Sequence, residues 1–258
     1  MLEHGDEAAR WAARYRSGGL PWDTGEPEPV LVSALADATI APGRVLEVGC
    51  GTGTNSVWLA QRGFDVTACD IAPAALELAR AKAVVAGVAV DWREGSFPEG
   101  EDGRYDLVFD RGVFHIPGLD RAGFAAQVAR LLRVGGRWLS LVGSTEGAAR
   151  DTGPPRISAR DIATAVEPVL EIARLEGRAF RTNAPDVGPL HRSCGPSSEP
   201  SSRQTTAARR PRSASTEVAV PRRPHPMRRR APSTSRSVFA TSSWAAHGGI
   251  SAWNLLSR

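Results

Sequence analysis

Three cysteines in 258 residues, Cys50, Cys69 and Cys194, are too few and too scattered for a disulfide framework or a metal site. Their spacing fits a reduced compartment, and a cytoplasmic protein is expected. Histidine is scarce too: besides His115, the four others, His4, His191, His225 and His247, stand far apart and make no ligand cluster, so no metal is expected. No apolar run approaches the roughly 18 residues needed to span a bilayer. The first residues, MLEHGDEAARW, are acidic and lack the apolar core of a secretion signal. These absences exclude a disulfide scaffold and a membrane protein.

Charge is unevenly placed. Before Gly188 there are 20 basic residues, Lys82 the only lysine among them, against 26 acidic ones. From Gly188 on, 12 arginines face only Glu199 and Glu217. The basic balance therefore belongs to the tail, and it is no argument that the rest of the chain binds nucleic acid.

Residues 3–16 read as a helix that stops at Gly18-Gly19, and residues 21–25 (PWDTG) as a turn. A second helix over 28–37 carries Val30, Leu31, Ala34 and Leu35 at helical spacing. Strand and helix then alternate. Strands are expected at 44–48, 64–69, 88–92, 105–109, 137–142 and 169–180, and helices at 54–62, 73–86, 121–132 and 158–167. This alternation implies βαβ units. The fold class is α/β: a doubly wound, mostly parallel, Rossmann-like sheet. Such sheets bind ligands beyond the carboxyl ends of their strands.

The strongest motif is VLEVGCGTGT, residues 45–54, in which a strand runs into Gly49, Gly51 and Gly53 and then into a helix. Bare backbone lets a ligand approach closely. Seventeen residues after Gly53 stands Asp70, followed by Ile71, at the end of the second strand; a carboxylate there can accept both hydroxyls of a ribose. A nicotinamide-dinucleotide fingerprint would need glycine at position 54, where this chain has Thr54. Glu47, just ahead of the loop, would repel a pyrophosphate but suits a cation. A purely structural glycine turn is the blander alternative. It is disfavoured because strand, glycines, acid and helix all agree.

These residues resemble the class I S-adenosylmethionine-dependent methyltransferases: EVGCGTGTNS is similar to their first motif, and Asp70 in ACDIAP to their second-strand acid. The resemblance implies S-adenosylmethionine as cofactor, its ribose on Asp70 and its methionine end over the glycine loop, with adenine contacts at Ser96 and Phe97. Where many members carry an acid near this point, the chain has Gly95-Ser96. A narrower resemblance joins WAARYRSGGLPWDTG, FDRGVFHI and TGPPRIS to the thiopurine, thiol and halide methyltransferase group. It implies that Trp11, Tyr15 and Trp22 line the donor and its entrance, with Arg111 beside it, and that the acceptor is a small soft nucleophile such as a thiolate. Gly143, where halide-branch relatives often carry an aromatic, implies a wider or differently walled pocket and argues against a halide, and Arg111 suits an anionic acceptor.

Read from the residues alone, Trp11 and Tyr15 share a helical face and could equally be core; Trp22 in a polar turn is harder to explain that way. Aromatic faces attract cations by roughly 0.5–2 kcal/mol. A thiolate needs no general base, whereas an amine, a hydroxyl or a weakly acidic thiol does. His115 is then the candidate base, with packing or capping its alternative; Asp110 and Asp23 are further polar candidates. Other hypotheses are a pseudo-enzyme that binds donor and uses the tail for interactions, and a dinucleotide oxidoreductase, which Thr54 disfavours.

Three segments are expected: a helical cap with the PWDTG loop at 1–43, the donor-binding domain at 44–187, and a disordered basic Ser/Pro/Arg-rich tail at 188–258. Class I methyltransferases usually end on an antiparallel strand. After Asp186 no suitable apolar run follows, so that strand is expected to be missing. The tail looks like an out-of-frame translation, with a genuine disordered extension and a nucleic-acid-binding arm as the alternatives. A monomer with a small-molecule substrate is expected, binding neither membrane nor nucleic acid.

Overall fold

In the computed structural model, residues 4–37, 40–146, 153–179, 181–183, 237–239 and 251–257 are described. The chain opens with α1 (His4–Ser17) and α2 (Pro29–Asp37). It continues through β1 (Arg44–Val48), α3 (Thr54–Ala60), β2 (Asp65–Asp70), α4 (Pro73–Ala86), β3 (Asp91–Glu94) and β4 (Tyr105–Arg111). After these come α5 (Arg121–Leu131), β5 (Leu132–Gly143), α6 (Ala159–Val166), β6 (Glu171–Ala173) and β7 (Leu175–Ala179), with β8 (Ser237–Phe239) and β9 (Ser251–Ser257) from the tail.

Local chemistry explains several boundaries. Pro73 opens α4, where its missing N–H costs nothing, and Gly87 closes it at φ 66°. Asp120 caps α5 by accepting from the Gly123 amide at 3.0 Å. Ser158 and Asp161 form a reciprocal capping box at the start of α6.

The strands form one sheet in the order β3-β2-β1-β4-β5-β9-β8-β6, with β7 also paired to β9. The first five run parallel, so the strand order reverses between β1 and β4. Alternate strand residues feed opposite faces. Val45, Leu107, Phe109, Leu139 and Leu141 meet α2 and α3 through Leu31, Leu35 and Leu59. On the other face Leu46, Val48, Val108, Trp138 and Val142 meet α5 and α6 through Phe124, Val128, Ile162 and Val166. Both faces of the parallel strands are covered, as their near-continuous apolar sequences require. Among the described residues no helix is long and apolar enough to cross a membrane.

Two expectations are corrected here. The single strand expected over 169–180 is two, β6 and β7, separated by Arg174. The antiparallel strand expected to be missing is supplied from the tail: β9 pairs antiparallel with β5, from Leu139↔Leu256 to Gly143↔Ala252, and on its other edge with β7. The physical reason is the edge of β5. An open row of amides and carbonyls beside a buried strand demands a partner, and SAWNLLS is apolar enough to serve. The rest of the tail, including the question of its reading frame, lies outside the described residues.

Candidate active site

The switch point between β1 and β4 places the glycine loop at the carboxyl edge of the sheet, where crevices form in this architecture. Gly49, Gly51 and Gly53 take φ values of 66°, 54° and 75°, a region that side chains disfavour. They do different jobs. A Cβ on Gly49 would lie 2.3 Å from Val113 Cγ2, and one on Gly53 2.6 Å from the Trp92 ring, so these two glycines allow close internal packing. A Cβ on Gly51 would instead point at the Tyr15 hydroxyl, 3.0 Å away. Gly51 is thus the bare backbone that faces the aromatic cap.

Asp70 ends β2 and is 6% exposed. Its Oδ2 accepts from the Gly51 amide and its Oδ1 from the Ala72 amide, both at 2.9 Å. Burial raises its pKa, and the two amides oppose that shift. Each carboxylate oxygen has a second lone pair, so holding the loop leaves capacity for a diol. Ile71 follows, half-buried. Ser96 is exposed after β3, and its carbonyl accepts from the Cys69 thiol at 3.1 Å. Phe97 turns inward against Phe124, with ring centroids 4.9 Å apart.

Trp11, Tyr15 and Trp22 gather into one cluster with Ala72 and Ala75. Trp22 meets Trp11 and Tyr15 edge-on at 5.8 and 6.2 Å. The cluster stands over the segment that follows Asp70, so α1 and the PWDTG turn form a wall above the glycine loop. Burial and the nearby Asp70 raise the Tyr15 pKa well above its ordinary value, so the phenol stays neutral.

Glu47 lies beneath the loop, 2% exposed. It accepts from Asn55 Nδ2 at 3.1 Å and from the Ser56 hydroxyl, which fixes the start of α3. Burial pushes its pKa up to about 7 despite these donors. Sequence reasoning missed the partner that surrounds this corner: Glu28, buried at the entry to α2, whose Oε2 pairs with Arg111 Nε at 2.7 Å. Arg111 also donates to the carbonyls of Trp22, at 3.2 Å, and of Arg181. Its charge is already matched by Glu28, and its reach is spent binding β4 to the turn and to the segment after β7. The expected anion-receiving Arg111 is therefore corrected to a group that braces the cap.

The two expected acid–base groups are corrected as well. The Gly143 amide donates to His115 Nδ1 at 2.7 Å. An amide N–H can only donate, so the proton of the neutral imidazole resides on Nε2 and the ring has no lone pair for a substrate. Asp110 is wholly buried; its oxygens accept from Trp138 Nε1 at 2.9 Å and from the Phe114 amide at 3.2 Å. Burial raises its pKa to about 6, and it braces β4 against the Phe114–Phe124–Trp138 cluster. Beside Gly143 the GPP segment forms the wall: a Cβ there would fall 2.0 Å from the Pro155 carbonyl oxygen, so the space is not wider but differently walled.

A crevice edge with one bare glycine, a carboxylate tied to it and an aromatic wall fits a nucleoside attached to a cation. The comparisons with known proteins point to methyltransferases. Residues 45–136 match the methyltransferase domain family. The chain is 32% identical over 126 residues to a 2-heptyl-1-hydroxyquinolin-4(1H)-one methyltransferase of Mycobacteroides abscessus, covering 47% of this chain and 55% of that protein. It is 31% identical over 150 residues to a probable thiol methyltransferase 2 of Arabidopsis thaliana, covering 56% and 65%. The chain thus spans less than two thirds of these curated relatives. Among solved structures, one concerned with converting a disulfide bond into a thioacetal group during echinomycin biosynthesis superimposes with a TM-score of 0.62 at 26% identity. It covers 72% of this chain and 88% of that one. The fold is the Rossmann-like fold of methyltransferases.

Proposed function

We propose that the protein is an S-adenosylmethionine-dependent methyltransferase whose acceptor is a small soft nucleophile, a thiolate first of all. The observation that carries the donor is the Asp70–Gly51 hydrogen bond at the switch point, under the aromatic wall. Asp70 would accept the ribose hydroxyls, Gly51 would let the donor settle against the backbone, and Glu47 would complement its positive charge. Trp11, Tyr15 and Trp22 would shut out water, with Ile71, Ser96 and Phe97 on the adenine side.

The bound donor supplies a methyl group already activated by its sulfonium, so the protein's task is alignment and exclusion of water. That bears on the acceptor. Among the described residues at this edge, His115 offers no lone pair, Asp110 is buried, and Asp23 is held below the ordinary carboxylate range. An acceptor that ionises unaided suits such a site better than an amine or an alcohol needing deprotonation. Two of the similar proteins are described by sulfur chemistry, a thiol methyltransferase and the disulfide-to-thioacetal conversion.

Incubation with methyl-labelled donor and matched panels of thiols, amines and phenols tests this reading. Label should pass to thiols, faster as pH rises through the thiol's own pKa. Transfer to amines alone, or to nothing while the donor binds, would refute the thiolate assignment.

A further inference from the structure

The only lysine of the chain sits on α4 and reaches back to the glycine loop. Lys82 Nζ donates to Thr52 Oγ1 at 2.8 Å and to Thr54 Oγ1 at 2.6 Å, and stands 3.4 Å from Asp23 Oδ1. Thr54 Oγ1 in turn donates to Asp23 Oδ1 at 3.2 Å. Three side chains from two distant segments thereby close on the Lys82 ammonium: Asp23 of the PWDTG turn, and Thr52 and Thr54 of the glycine loop. Burial works against the ionised Asp23, but the threonine hydroxyls and the lysine charge prevail and lower its pKa.

The opposite side of the same turn is held through its backbone. Thr182 Oγ1 and the Asn183 amide donate to the Pro21 carbonyl at 2.9 and 2.7 Å, Asn183 Nδ2 donates to the Asp23 carbonyl at 2.6 Å, and Arg111 holds that of Trp22. The turn is therefore pinned from two directions, and only on the α4 side does a side chain of the turn itself, Asp23, meet a charge. An isolated exposed ion pair contributes little. This one differs, because Lys82 and Asp23 are only 32% and 24% exposed and share two hydroxyls that belong to the glycine loop itself.

We propose that Lys82 is a positioning residue, a latch that fastens the PWDTG turn to the glycine loop and so sets Trp22 and Tyr15 over the donor. The proposal rests on the donor site argued above. Lys82 touches neither donor nor acceptor; it acts through Asp23, Thr52 and Thr54. Losing its charge leaves Asp23 facing two hydroxyls and frees one side of the turn.

The test uses the full chain and three variants: Lys82→Met, Lys82→Arg and Asp23→Asn. Hydrogen exchange of residues 20–26 reads the latch, and titration with S-adenosylmethionine reads its consequence. In Lys82→Met, exchange in that turn should rise and donor affinity should fall about tenfold, the loss expected for a charge-assisted hydrogen bond. Steady-state rates should show a raised KM for donor with kcat changed much less, and Lys82→Arg should recover most of the loss. Asp23→Asn should mimic Lys82→Met, which covers the case of a lysine variant that folds poorly. Unchanged exchange in both neutral variants would overturn the latch, and raised exchange with unchanged donor affinity would overturn the positioning role. If the unsubstituted protein bound no donor, the functional reading would fall and the positioning role with it, while the exchange data would still decide whether the latch exists.

Discussion

Asp70 holds two loop amides with one carboxylate, and that observed job makes its proposed second one, receiving the donor, possible. By accepting the amides of Gly51 and Ala72 it fixes the ends of two adjoining loops, so the space between them is set before any ligand arrives. Replacing Asp70 by Asn keeps the size but puts an NH2 against one of those amides. Donor affinity should fall by about ten- to a hundredfold, as for a lost hydrogen bond to a charged group. Titration calorimetry reads this; a change under threefold would mean that the carboxylate does not meet the donor.

Glu47 carries a pH prediction at the same scale. Its pKa is raised from 4.5 to about 7 by burial. The folded state therefore holds this proton more tightly than the unfolded state. Stability is greatest below pH 4.5, falls as pH climbs through 7, and is flat above that, a loss of about 3 kcal/mol across the window. A bound cation favours the carboxylate, so donor affinity should rise from pH 6 toward neutrality and then level off, with a proton released on binding at the lower pH. Glu47→Gln should flatten both curves in urea unfolding and in titration. A slope unchanged in the variant would assign the proton elsewhere.

Among elements, the segment between β4 and α5 shows how a histidine near a ligand edge is spoken for by structure. His115 is tied to the end of β5 through Gly143, so His115→Asn, whose side-chain carbonyl can still accept from that amide, should slow methyl transfer only modestly. The ionisation seen in the pH–rate profile should not move. Disappearance of a near-neutral ionisation in that variant would restore the histidine as a base.

What was legible at the level of elements follows the range of the interactions. The strand–glycine–helix run of 44–60 is local, and Asp70 could be read because it ends the next strand, although it meets Gly51 across 19 residues. The shared face of Trp11 and Tyr15 on α1 was legible, but their place in a wall with Trp22 was implied only by the resemblance and by a tryptophan standing in a polar turn. Strand β3 begins at Asp91 rather than Val88, and Val90 just ahead of it packs beside Leu76 and Ala68. Lys82, Glu28 and the Thr182–Asn183 clasp could not be read, since each meets its partners through space: 28 residues separate Lys82 from Thr54 and 83 separate Glu28 from Arg111. The lone lysine in an arginine-rich chain was the one available signal, and it becomes informative only once α4 is placed against the loop.

At the scale of the whole molecule, β9 matters most. Antiparallel pairing between Leu139–Gly143 and Ala252–Leu256 is non-local, and seven residues with only four apolar ones in a polar tail give no periodic hint of it. Yet it shields the edge of the strand that carries Trp138 and Gly143. Truncation before Ser251 should lower the melting temperature by about 10 °C or more, given several lost ladder bonds and the exposed strand edge. An unchanged melting curve would show that the sheet is complete without it.

The central claim is that the rim between β1 and β4 receives S-adenosylmethionine. Calorimetric titration of the full chain with that compound, beside the Asp70→Ala variant, tests it most directly. Saturable one-site binding by the unsubstituted chain, lost or cut at least tenfold in the variant, is the expected result. No heat in either, or equal affinity in both, would contradict the account.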